Sequence, residues 1–333
     1  MITIVTGGFY GDEGKGKIVG YLSIHDKADI VVRAGAGPQA GHTVTSDVKV
    51  TQVPSGLINP KSRLLIARGT LISPEVFLKE VKEYNLAGRI FIDKGCTIIE
   101  KRHIQEEAEL VKRIGSVGTG VGPARVERIM RNAKIAKDEP RLKEFLTDVA
   151  DEVNTAAGKK KRIIIEGVQG YGLSLLDHRY YPYVTSQDTT ASQFAADTGI
   201  GPRLVDHVVV IFKAYVSRVG EDPRYKPWTQ KKADKMGIVE RGSVSGRMRK
   251  LSDFNIEMAA EAIARNTGDY TVLTCIDRLF PGNENVTEFR KLTQEAKNFI
   301  RETEAKIKKK NPLFTKFHII STGPDILDII DLR

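Results

Sequence analysis

The chain has 333 residues, of which 41% are hydrophobic and 28% charged, an ordinary composition for a soluble protein with a sizeable core. No apolar run is long enough to span a bilayer, and the start, MITIVTGG, has neither a basic n-region nor a cleavage site, which argues against a membrane partner and predicts a cytoplasmic location. The net charge of +10 and the pI near 9.4 indicate either an anionic partner, such as nucleic acid or the phosphates of nucleotides, or nothing specific.

The densest basic runs do not favour a nucleic-acid partner. Residues 159–162 and 308–310 lack interleaved aromatic residues and lie beside helix-like polar sequence. Solvated helix ends explain them better than a nucleic-acid surface does, so we expect no nucleic-acid partner.

Cys96 and Cys275 are far apart and match no CxxC or Cys/His spacing, which argues against a disulfide framework and a structural zinc site.

Short β-branched runs alternate with amphipathic stretches along the chain. The predicted strands span residues 2–6, 29–33, 63–67, 162–166, 208–215, 271–276 and 316–321. The predicted helices span residues 74–84, 102–113, 140–157, 253–265 and 291–309. This alternation indicates an α/β fold with a mostly parallel central sheet and flanking helices. Because the sequence shows neither repeats nor a low-complexity linker, we expect one domain over residues 1–333.

Glycine-rich segments follow several of the predicted strands. They span residues 7–16, 35–41, 115–122, 167–172 and 242–246. In an open parallel sheet, ligands bind where the loops leave the carboxyl ends of the strands. These loops therefore predict a composite site for more than one anionic ligand.

The first of these loops has the context of a phosphate-binding loop. The strand 2–6 leads into GGFYGDEGKGK, which is followed by the helical sequence 18–24. Bare backbone amides and a helix N-terminus both favour phosphate oxygens at such a place. The Walker A pattern GxxxxGK[ST] does not fit, because Phe9 stands where it needs glycine and Gly16 where it needs a hydroxyl. A magnesium ion there needs another oxygen ligand, and Asp12 is the nearest carboxylate; a plain turn is the alternative.

The sequence GDEGKGK resembles the signature of the adenylosuccinate synthetase family. Further blocks of that family follow in order: QAGHT (39–43), GVGPA (120–124), EGVQG (166–170), YPYVT (181–185), GPR (201–203), KAY (213–215), SRVG (217–220), GR (246–247) and STGPD (321–325). The resemblance implies a GTP-binding core like that of P-loop NTPases. It also implies a ligase that joins L-aspartate to IMP and releases adenylosuccinate, GDP and phosphate, the first committed step from IMP to AMP.

The implied reaction passes through 6-phosphoryl-IMP, because the 6-oxygen of IMP is a poor leaving group until it is phosphorylated. By resemblance, Asp12 is the base that removes the N1 proton, and it binds Mg²⁺ together with the carbonyl of Gly41. His42 stabilises charge on the phosphoryl group, Lys15 neutralises the phosphates of GTP, and Gln169 contacts IMP. A helix cap is the alternative for Asp12, and a surface side chain is the alternative for Lys15.

The same resemblance assigns ligand contacts to the loops. The implied GTP-binding residues are Gly11, Asp12, Glu13, Gly14, Lys15, Gly16, Lys17, Gly41, His42, Thr43, Arg249, Cys275, Ile276, Asp277, Ser321, Thr322 and Gly323. The implied IMP-binding residues are Asp12, Glu13, Gly14, Lys15, Gln39, Ala40, Gly41, His42, Val117, Arg131, Gln169, Thr185 and Arg247. The implied aspartate-binding residues are Ser243, Val244, Ser245, Gly246, Arg247, Met248 and Arg249.

Residue chemistry supports several of these assignments. Asp277 can accept hydrogen bonds from N1–H and the amino group of guanine, whereas adenine presents an acceptor at N1; a generic strand-end aspartate is the alternative. The arginines of residues 242–249 can hold the carboxylates of aspartate as forks. By resemblance, Arg131 reaches the IMP phosphate of the neighbouring subunit, which implies a homodimer; a solvated basic face is the alternative.

Four positions depart from the family pattern. Gln39 replaces an asparagine, and Cys275 replaces a lysine beside guanine. Val117 replaces a threonine whose hydroxyl contacts IMP, and Met248 replaces the middle arginine of the aspartate loop. These changes alter the implied contacts without touching the implied base, histidine or phosphate lysine. The chain is also shorter than most members of the family.

Three other functions fit parts of the sequence. A regulatory GTP-binding switch shares the phosphate loop and Asp277 but has no use for Gln169, Thr185 or the arginines. A basic nucleic-acid-binding protein needs neither GTP nor magnesium, and its binding falls steeply with salt. A ligase of the same fold with an altered nucleotide or amino acid is suggested by Gln39 and Met248.

Overall fold

The computed structural model of the protein describes residues 1–220, 222–242, 244 and 246–333. The strands are β1 (Ile2–Gly7), β2 (Ile30–Arg33), β3 (His42–Thr43), β4 (Lys49–Val50), β5 (Arg63–Ile66), β6 (Leu71–Ile72), β7 (Ile90–Asp93), β8 (Thr97–Ile98), β9 (Leu146–Thr147), β10 (Ile163–Glu166), β11 (His207–Lys213), β12 (Val216–Arg218), β13 (Lys250–Ser252), β14 (Tyr270–Thr274), β15 (Ile319–Ser321) and β16 (Ile329–Asp331). The α-helices are α1 (Lys15–His25), α2 (Pro74–Glu83), α3 (Lys101–Glu106), α4 (Ala108–Ile114), α5 (Val121–Met130), α6 (Val149–Gly158), α7 (Ala191–Thr198), α8 (Gln230–Met236), α9 (Ile256–Asn266), α10 (Ile276–Leu279) and α11 (Gln294–Lys310). Within the described ranges, no helix is long and apolar enough to cross a bilayer.

The main sheet confirms the predicted fold class. Among the described residues, ten strands form it in the order β16, β15, β14, β11, β1, β10, β2, β5, β7 and β9. Neighbouring strands run parallel, except that β16 pairs with β15 in the antiparallel direction. Because the parallel strands share one direction, the loops that follow β1, β2, β10, β11 and β14 leave the sheet at the same edge.

A hydrophobic core covers each face of this sheet. Alternate residues of a strand point to opposite faces, so Ile4 of β1 and Ile165 of β10 belong to one core, and Val5 and Ile164 belong to the other. Helices α6, α7, α9 and α11 contribute to the first core, and α1 and α2 contribute to the second. Burial on both faces explains why these strands are apolar throughout rather than alternating.

The predicted elements need correction in several places. The prediction of one helix over residues 140–157 is wrong in its first half, where a 3₁₀ turn, Pro140–Phe145, leads into β9, which pairs with β7. Asp148 then caps α6 by accepting a hydrogen bond from the Asp151 amide at 3.0 Å. The helix predicted over residues 102–113 is present as α3 and α4, separated only at one residue. The sequence patterns did not predict β7, α7 or β16.

Candidate active site

A cavity of about 350 Å³ opens where the loops leave the carboxyl ends of the parallel strands. Its wall contains the site residues Gly11, Asp12, Gln39, Ala40, Gly41, His42, Val117, Gln169, Thr185, Val244, Arg247 and Arg249. The fold therefore brings together most of the positions to which the sequence assigns IMP and aspartate, although in the chain they lie as far apart as Asp12 and Arg249.

In the loop after β1, two charged side chains contact the backbone of the same loop and each other. One carboxylate oxygen of Glu13 accepts hydrogen bonds from the backbone amides of Phe9 (2.9 Å) and Gly11 (2.8 Å), and the other lies 2.9 Å from Lys15 Nζ. Lys15 also donates to the Gly11 carbonyl at 2.9 Å. Both charged side chains are fully buried, so the surface-lysine alternative for Lys15 is wrong. The Glu13 carboxylate thus contacts backbone amides and a lysine, which are groups that bind phosphate in phosphate loops.

Asp12 lies within a network of charges. Its Oδ2 accepts a hydrogen bond from Ser217 Oγ, and it lies 2.9 Å from Arg249 NH1 and 3.9 Å from Lys213 Nζ. The N-cap of α1 is Gly14, which provides no side-chain cap, so the helix-cap alternative for Asp12 is wrong. Tertiary contacts, rather than the local helix end, hold this carboxylate in the cavity wall.

His42 is buried, and its two ring nitrogens have different surroundings. Nδ1 contacts Glu166 Oε1 and lies 2.5 Å from Arg33 NH1. Nε2 is buried without a hydrogen-bond partner among the described residues. Burial and the charge of Arg33 lower the pKa of His42 to about 3, so the ring is neutral near pH 7. The protein fixes one nitrogen, and the other remains for a ligand.

Glu166 and Arg33 support this histidine from the ends of neighbouring strands. They face each other in register on β10 and β2, and Arg33 NH1 donates to Glu166 Oε1 at 2.8 Å. The amide and hydroxyl of Ser55 also donate to Glu166, at 2.7 and 2.6 Å. Neither charged residue is among the predicted site residues. A charge that ends an otherwise apolar strand, as in IVVR and IIIE, is the sequence signal that could have found both.

Two glutamines present acceptors to the cavity. The Oε1 atoms of Gln39 and Gln169 are buried and have no hydrogen-bond partner among the described residues. A buried acceptor left unpaired costs about 1–3 kcal/mol, which a donor on a ligand can relieve. Gln169 has φ 61°, and a Cβ added to Gly11 would come within 2.8 Å of its Cα, so these two loops approach very closely.

The loop over residues 242–249 is closed at its base by backbone contacts. An antiparallel bridge joins Arg241 to Met248, and the amide of Gly242 donates to the carbonyl of Arg247 at 2.8 Å. Met248 is 52% exposed, and Gly246 has φ 64°. The predicted aspartate contacts Ser243 and Ser245 lie outside the residues that the structure describes.

Two arginines of this loop connect it to the rest of the cavity. Arg247 NH2 donates to the carbonyls of Gly115 (2.7 Å) and Ser116 (3.2 Å), next to Val117. Arg249 contacts Asp12, as described above. The loop thus touches both the implied base and the segment implied to bind IMP.

The guanine-reading residues lie outside the cavity wall. Asp277 stands in α10 directly after β14, and burial raises its pKa. The strand predicted to reach residue 276 ends at Thr274, because Cys275 adopts a left-handed conformation with φ 60°. Ile276 and Thr322 are fully buried.

Lys17 reaches this second region from the phosphate loop. Its Nζ donates to Ser321 Oγ at 2.8 Å, to the Gly323 carbonyl at 2.6 Å and to the Asp328 carbonyl at 3.1 Å. Burial lowers the pKa of Lys17 to about 8. The side chain therefore ties the start of α1 to the loop after β15, which contains the implied guanine contacts.

Arg131 lies apart from the cavity of its own chain. It follows α5 with φ 65° and is exposed. On the same helix, Val126, Ile129 and Met130 are 60%, 67% and 63% exposed. Their spacing places three apolar side chains on one face of the helix.

One other cluster has the spacing of a metal site. Glu100, His103 and Glu127 place ligand atoms within 4.8 Å of one another. Arg102 donates to both carboxylates, and His103 Nδ1 accepts a hydrogen bond from the Glu100 amide at 3.0 Å. Because these groups already satisfy one another, we assign no metal to them.

The chain is similar to known proteins along almost its whole length. A family model described as adenylosuccinate synthetase matches residues 4–139 and 133–284. The adenylosuccinate synthetase of Methanosphaera stadtmanae is 45% identical over 340 residues, which cover 99% of this chain and 98% of that protein. The adenylosuccinate synthetase of Archaeoglobus fulgidus is 46% identical over 337 residues, with the same coverage. These relatives share the short length of the chain.

Solved structures with this fold include two synthetases. The fully ligated adenylosuccinate synthetase of Plasmodium falciparum has a TM-score of 0.88 and 21% identity, and the alignment covers 99% of each chain. The succinoaminodeoxyadenylate synthetase of cyanophage S-2L, bound to dGMP and dATP, has a TM-score of 0.80 and 23% identity, with 100% of this chain and 95% of that chain covered. At these identities the structural likeness establishes the fold alone.

Proposed function

The chain belongs to the adenylosuccinate synthetase family, whose members join L-aspartate to IMP at the expense of GTP, and we propose that the cavity around Asp12 carries out this reaction in the present chain. One observation carries the assignment of the site. Asp12, His42 and Gln169, implied by the resemblance to act on IMP, share one cavity wall with Arg249 of the aspartate loop. A regulatory switch or a nucleic-acid-binding protein does not need this combination.

Asp12 is the base in this proposal. Its carboxylate takes the proton from N1 of IMP, which makes the 6-oxygen a nucleophile toward the γ-phosphate of GTP and gives 6-phosphoryl-IMP. The amine of aspartate then displaces phosphate at carbon 6. The contacts to Ser217 and Arg249 support this role, because they hold the carboxylate at the cavity rather than at the end of α1.

His42 and the two glutamines act on the reacting end of IMP. The neutral ring of His42 carries its proton on Nε2 and donates it towards the phosphoryl group and the 6-oxygen, while Nδ1 accepts from Arg33 NH1. Gln39 and Gln169 offer their unpaired buried oxygens to donors of the nucleotide. Thr185 lies in the same wall and binds the phosphate of IMP through its hydroxyl.

GTP binds between the loop after β1 and the region that contains the implied guanine contacts. The amides of Gly11–Lys17 and the side chain of Lys15 contact its phosphates, and Asp277 accepts hydrogen bonds from guanine, with Ser321–Gly323 closing over the base. For the triphosphate to bind, Lys15 must exchange part of its contact with Glu13 for phosphate oxygens. The hydrogen bonds from Lys17 to Ser321 and Gly323 join the phosphate loop to the guanine region, which supports a single GTP site.

A magnesium ion fits the oxygen ligands near the phosphate loop. Asp12 and the carbonyl of Gly41 both line the cavity, and carboxylate and carbonyl oxygens suit this hard cation. When bound, Mg²⁺ neutralises charge on the phosphate oxygens of GTP. We therefore propose Asp12 and Gly41 as its protein ligands.

The loop over residues 242–249 binds aspartate in this proposal. Val244 and Arg247 line the cavity, and the guanidinium groups of Arg247 and Arg249 can each hold a carboxylate. Met248 contributes only backbone contacts, because its side chain lies outside the cavity wall.

We further propose a homodimer in which Arg131 completes the site of the partner subunit. The exposed apolar side chains of Val126, Ile129 and Met130, which precede Arg131, support a covered helix face. Mixing an Arg131→Leu chain with an Asp12→Asn chain tests this proposal, because hybrid dimers then contain one intact site. Verified hybrids without any recovered activity would argue for self-contained sites.

The location and domain count are proposed on simpler grounds. We expect a cytoplasmic enzyme, in keeping with the lack of a membrane-spanning helix within the described ranges. We expect a single domain, because strands from residues 2 to 331 pair in one continuous sheet.

A coupled spectroscopic assay tests the function directly. The purified chain is supplied with IMP, GTP, Mg²⁺ and aspartate, and each component is omitted in turn. Adenylosuccinate should form only when all four are present. Two further arms replace IMP with dGMP and GTP with ATP, which tests the remaining alternative of a ligase with altered nucleotides. Turnover that prefers either replacement would contradict the proposal.

A further inference from the structure

Glu240 is a buried carboxylate to which the proposed reaction gives no role. Its side chain is 5% exposed, and Glu240 lies two residues before Gly242, the first residue of the aspartate loop. Oε2 contacts Lys213 Nζ, and Oε1 accepts a hydrogen bond from the Tyr215 hydroxyl. Burial opposes the ionisation of Glu240, but Lys213, Tyr215 and Arg249 outweigh it and lower its pKa to about 2. The carboxylate is therefore charged at neutral pH.

Glu240 and Asp12 share the same two cations. Arg249 NH1 lies 2.9 Å from Asp12 Oδ2 and 3.4 Å from Glu240 Oε2. Lys213 Nζ contacts Glu240 and lies 3.9 Å from Asp12 Oδ2. Two carboxylates thus share these two cations in one largely buried cluster. If the charge of Glu240 were lost, Asp12 would be the carboxylate left to pair with Arg249 and Lys213, and both side chains would shift towards it.

The same residue also fixes the base of the aspartate loop. The amide of Arg249 donates to the carbonyl of Glu240 at 3.0 Å, so the two residues face each other where the loop begins and ends. On its other side, Glu240 Oε1 lies 3.6 Å from NH1 of Arg278, the residue after Asp277. One carboxylate therefore touches side chains from the catalytic, aspartate and guanine parts of the site.

We propose that Glu240 is a positioning residue of the ligase. Its carboxylate shares Arg249 and Lys213 with the carboxylate of Asp12, and it holds Arg249 at the mouth of the aspartate site. This inference rests on the proposed roles of Asp12 as base and of Arg249 in aspartate binding. Glu240 itself touches no substrate in this account. It acts by keeping Arg249 and Lys213 in place between Asp12 and the aspartate loop.

The test is steady-state kinetics of Glu240→Gln, which removes the charge and keeps the shape. We expect kcat to fall about tenfold, a fraction of what loss of a general base costs. We expect KM for aspartate to rise about tenfold, as for one weakened charged contact, and KM for IMP to stay within about twofold. Glu240→Asp restores the charge, so its kcat should return close to that of the wild type.

Glu139→Gln is the matched control. Glu139 is also a buried glutamate with ion pairs to a lysine and an arginine, Lys134 at 3.0 Å and Arg141 at 2.8 Å, but neither partner lines the cavity. Its kcat and KM values should stay within about twofold of the wild type. An equal loss of kcat in both variants would mean that any buried charge matters equally, and it would overturn the inference.

The outcomes separate this inference from the proposed function. A wild-type chain that forms no adenylosuccinate defeats the proposed function itself. An active wild type with an equally active Glu240→Gln variant defeats only the role of Glu240. If Glu240→Gln does not fold, Glu240→Asp carries the test, because its shorter side chain withdraws from Arg249. Its KM for aspartate should then rise, and an unchanged value would refute the proposal.

Discussion

The catalytic and guanine sides of the site are built differently. On the catalytic side, Asp12 and Glu240 share Lys213 and Arg249 in a cluster of mutually dependent charges. On the guanine side, one lysine, Lys17, joins the start of α1 to the loop after β15, and two of its three acceptors are backbone carbonyls. A charge network responds to the loss of any member, whereas a single tether can be cut by itself. Chemistry and nucleotide choice should therefore be separable by mutation.

The largest effect should follow from Asp12→Asn. The amide keeps the size of the side chain but cannot take the N1 proton, so we expect kcat to fall by about 10³-fold or more. GTP binding, measured by calorimetry without IMP, should largely remain. Retained turnover would refute the role of Asp12 as base.

On the guanine side, Asp277→Asn should change selectivity more than rate. The amide can no longer accept two hydrogen bonds from guanine, so the preference for GTP over ATP should fall about 10- to 100-fold. The measurement is kcat/KM for each nucleotide at saturating IMP and aspartate. An unchanged preference would count against the guanine contact.

A smaller effect on the same side should follow from Lys17→Met, which removes the tether and keeps the aliphatic stem. We expect KM for GTP to rise about tenfold, with kcat at saturating GTP nearly unchanged. Lys134→Met is the control, since Lys134 makes an ion pair away from the cavity. A fall in kcat with unchanged KM would show that the two sides are not separable.

The smallest effect concerns pH and His42. Because burial and Arg33 lower its pKa to about 3, the ring should stay neutral, and its NMR signals should not titrate between about pH 5 and 8. An unfolded histidine binds a proton near pH 6.5, so this residue should reduce stability as the pH falls below about 6.5. A titration of His42 with a midpoint near pH 6.5 would contradict this environment.

The sequence predicted the frame of the fold well. Alternating strands and helices gave the parallel sheet, because both faces are buried and the strands are continuously apolar. The prediction was wrong over residues 140–147, which form a 3₁₀ turn and then β9, paired with β7. Helical periodicity could not reveal that pairing, because it depends on residues some 50 positions away.

The sequence predicted the ligand-contacting residues of the site but missed the residues that support them. Glycine loops at strand ends and ordered motifs located Asp12, His42 and Gln169 in one cavity. The residues that support them, such as Arg33 and Glu240, make contacts over long sequence separations, and Glu240 belongs to no quoted motif. Their roles appear only when the charges of the folded chain are counted together.

A crystal structure of the chain with IMP and a non-hydrolysable GTP analogue tests whether Asp12 is the base that acts on IMP. We predict that a carboxylate oxygen of Asp12 lies within about 3 Å of N1 of the purine, within hydrogen-bond reach of the proton that it removes. An Asp12 side chain turned away from the ring and still held by Arg249 would show that Asp12 is not the base.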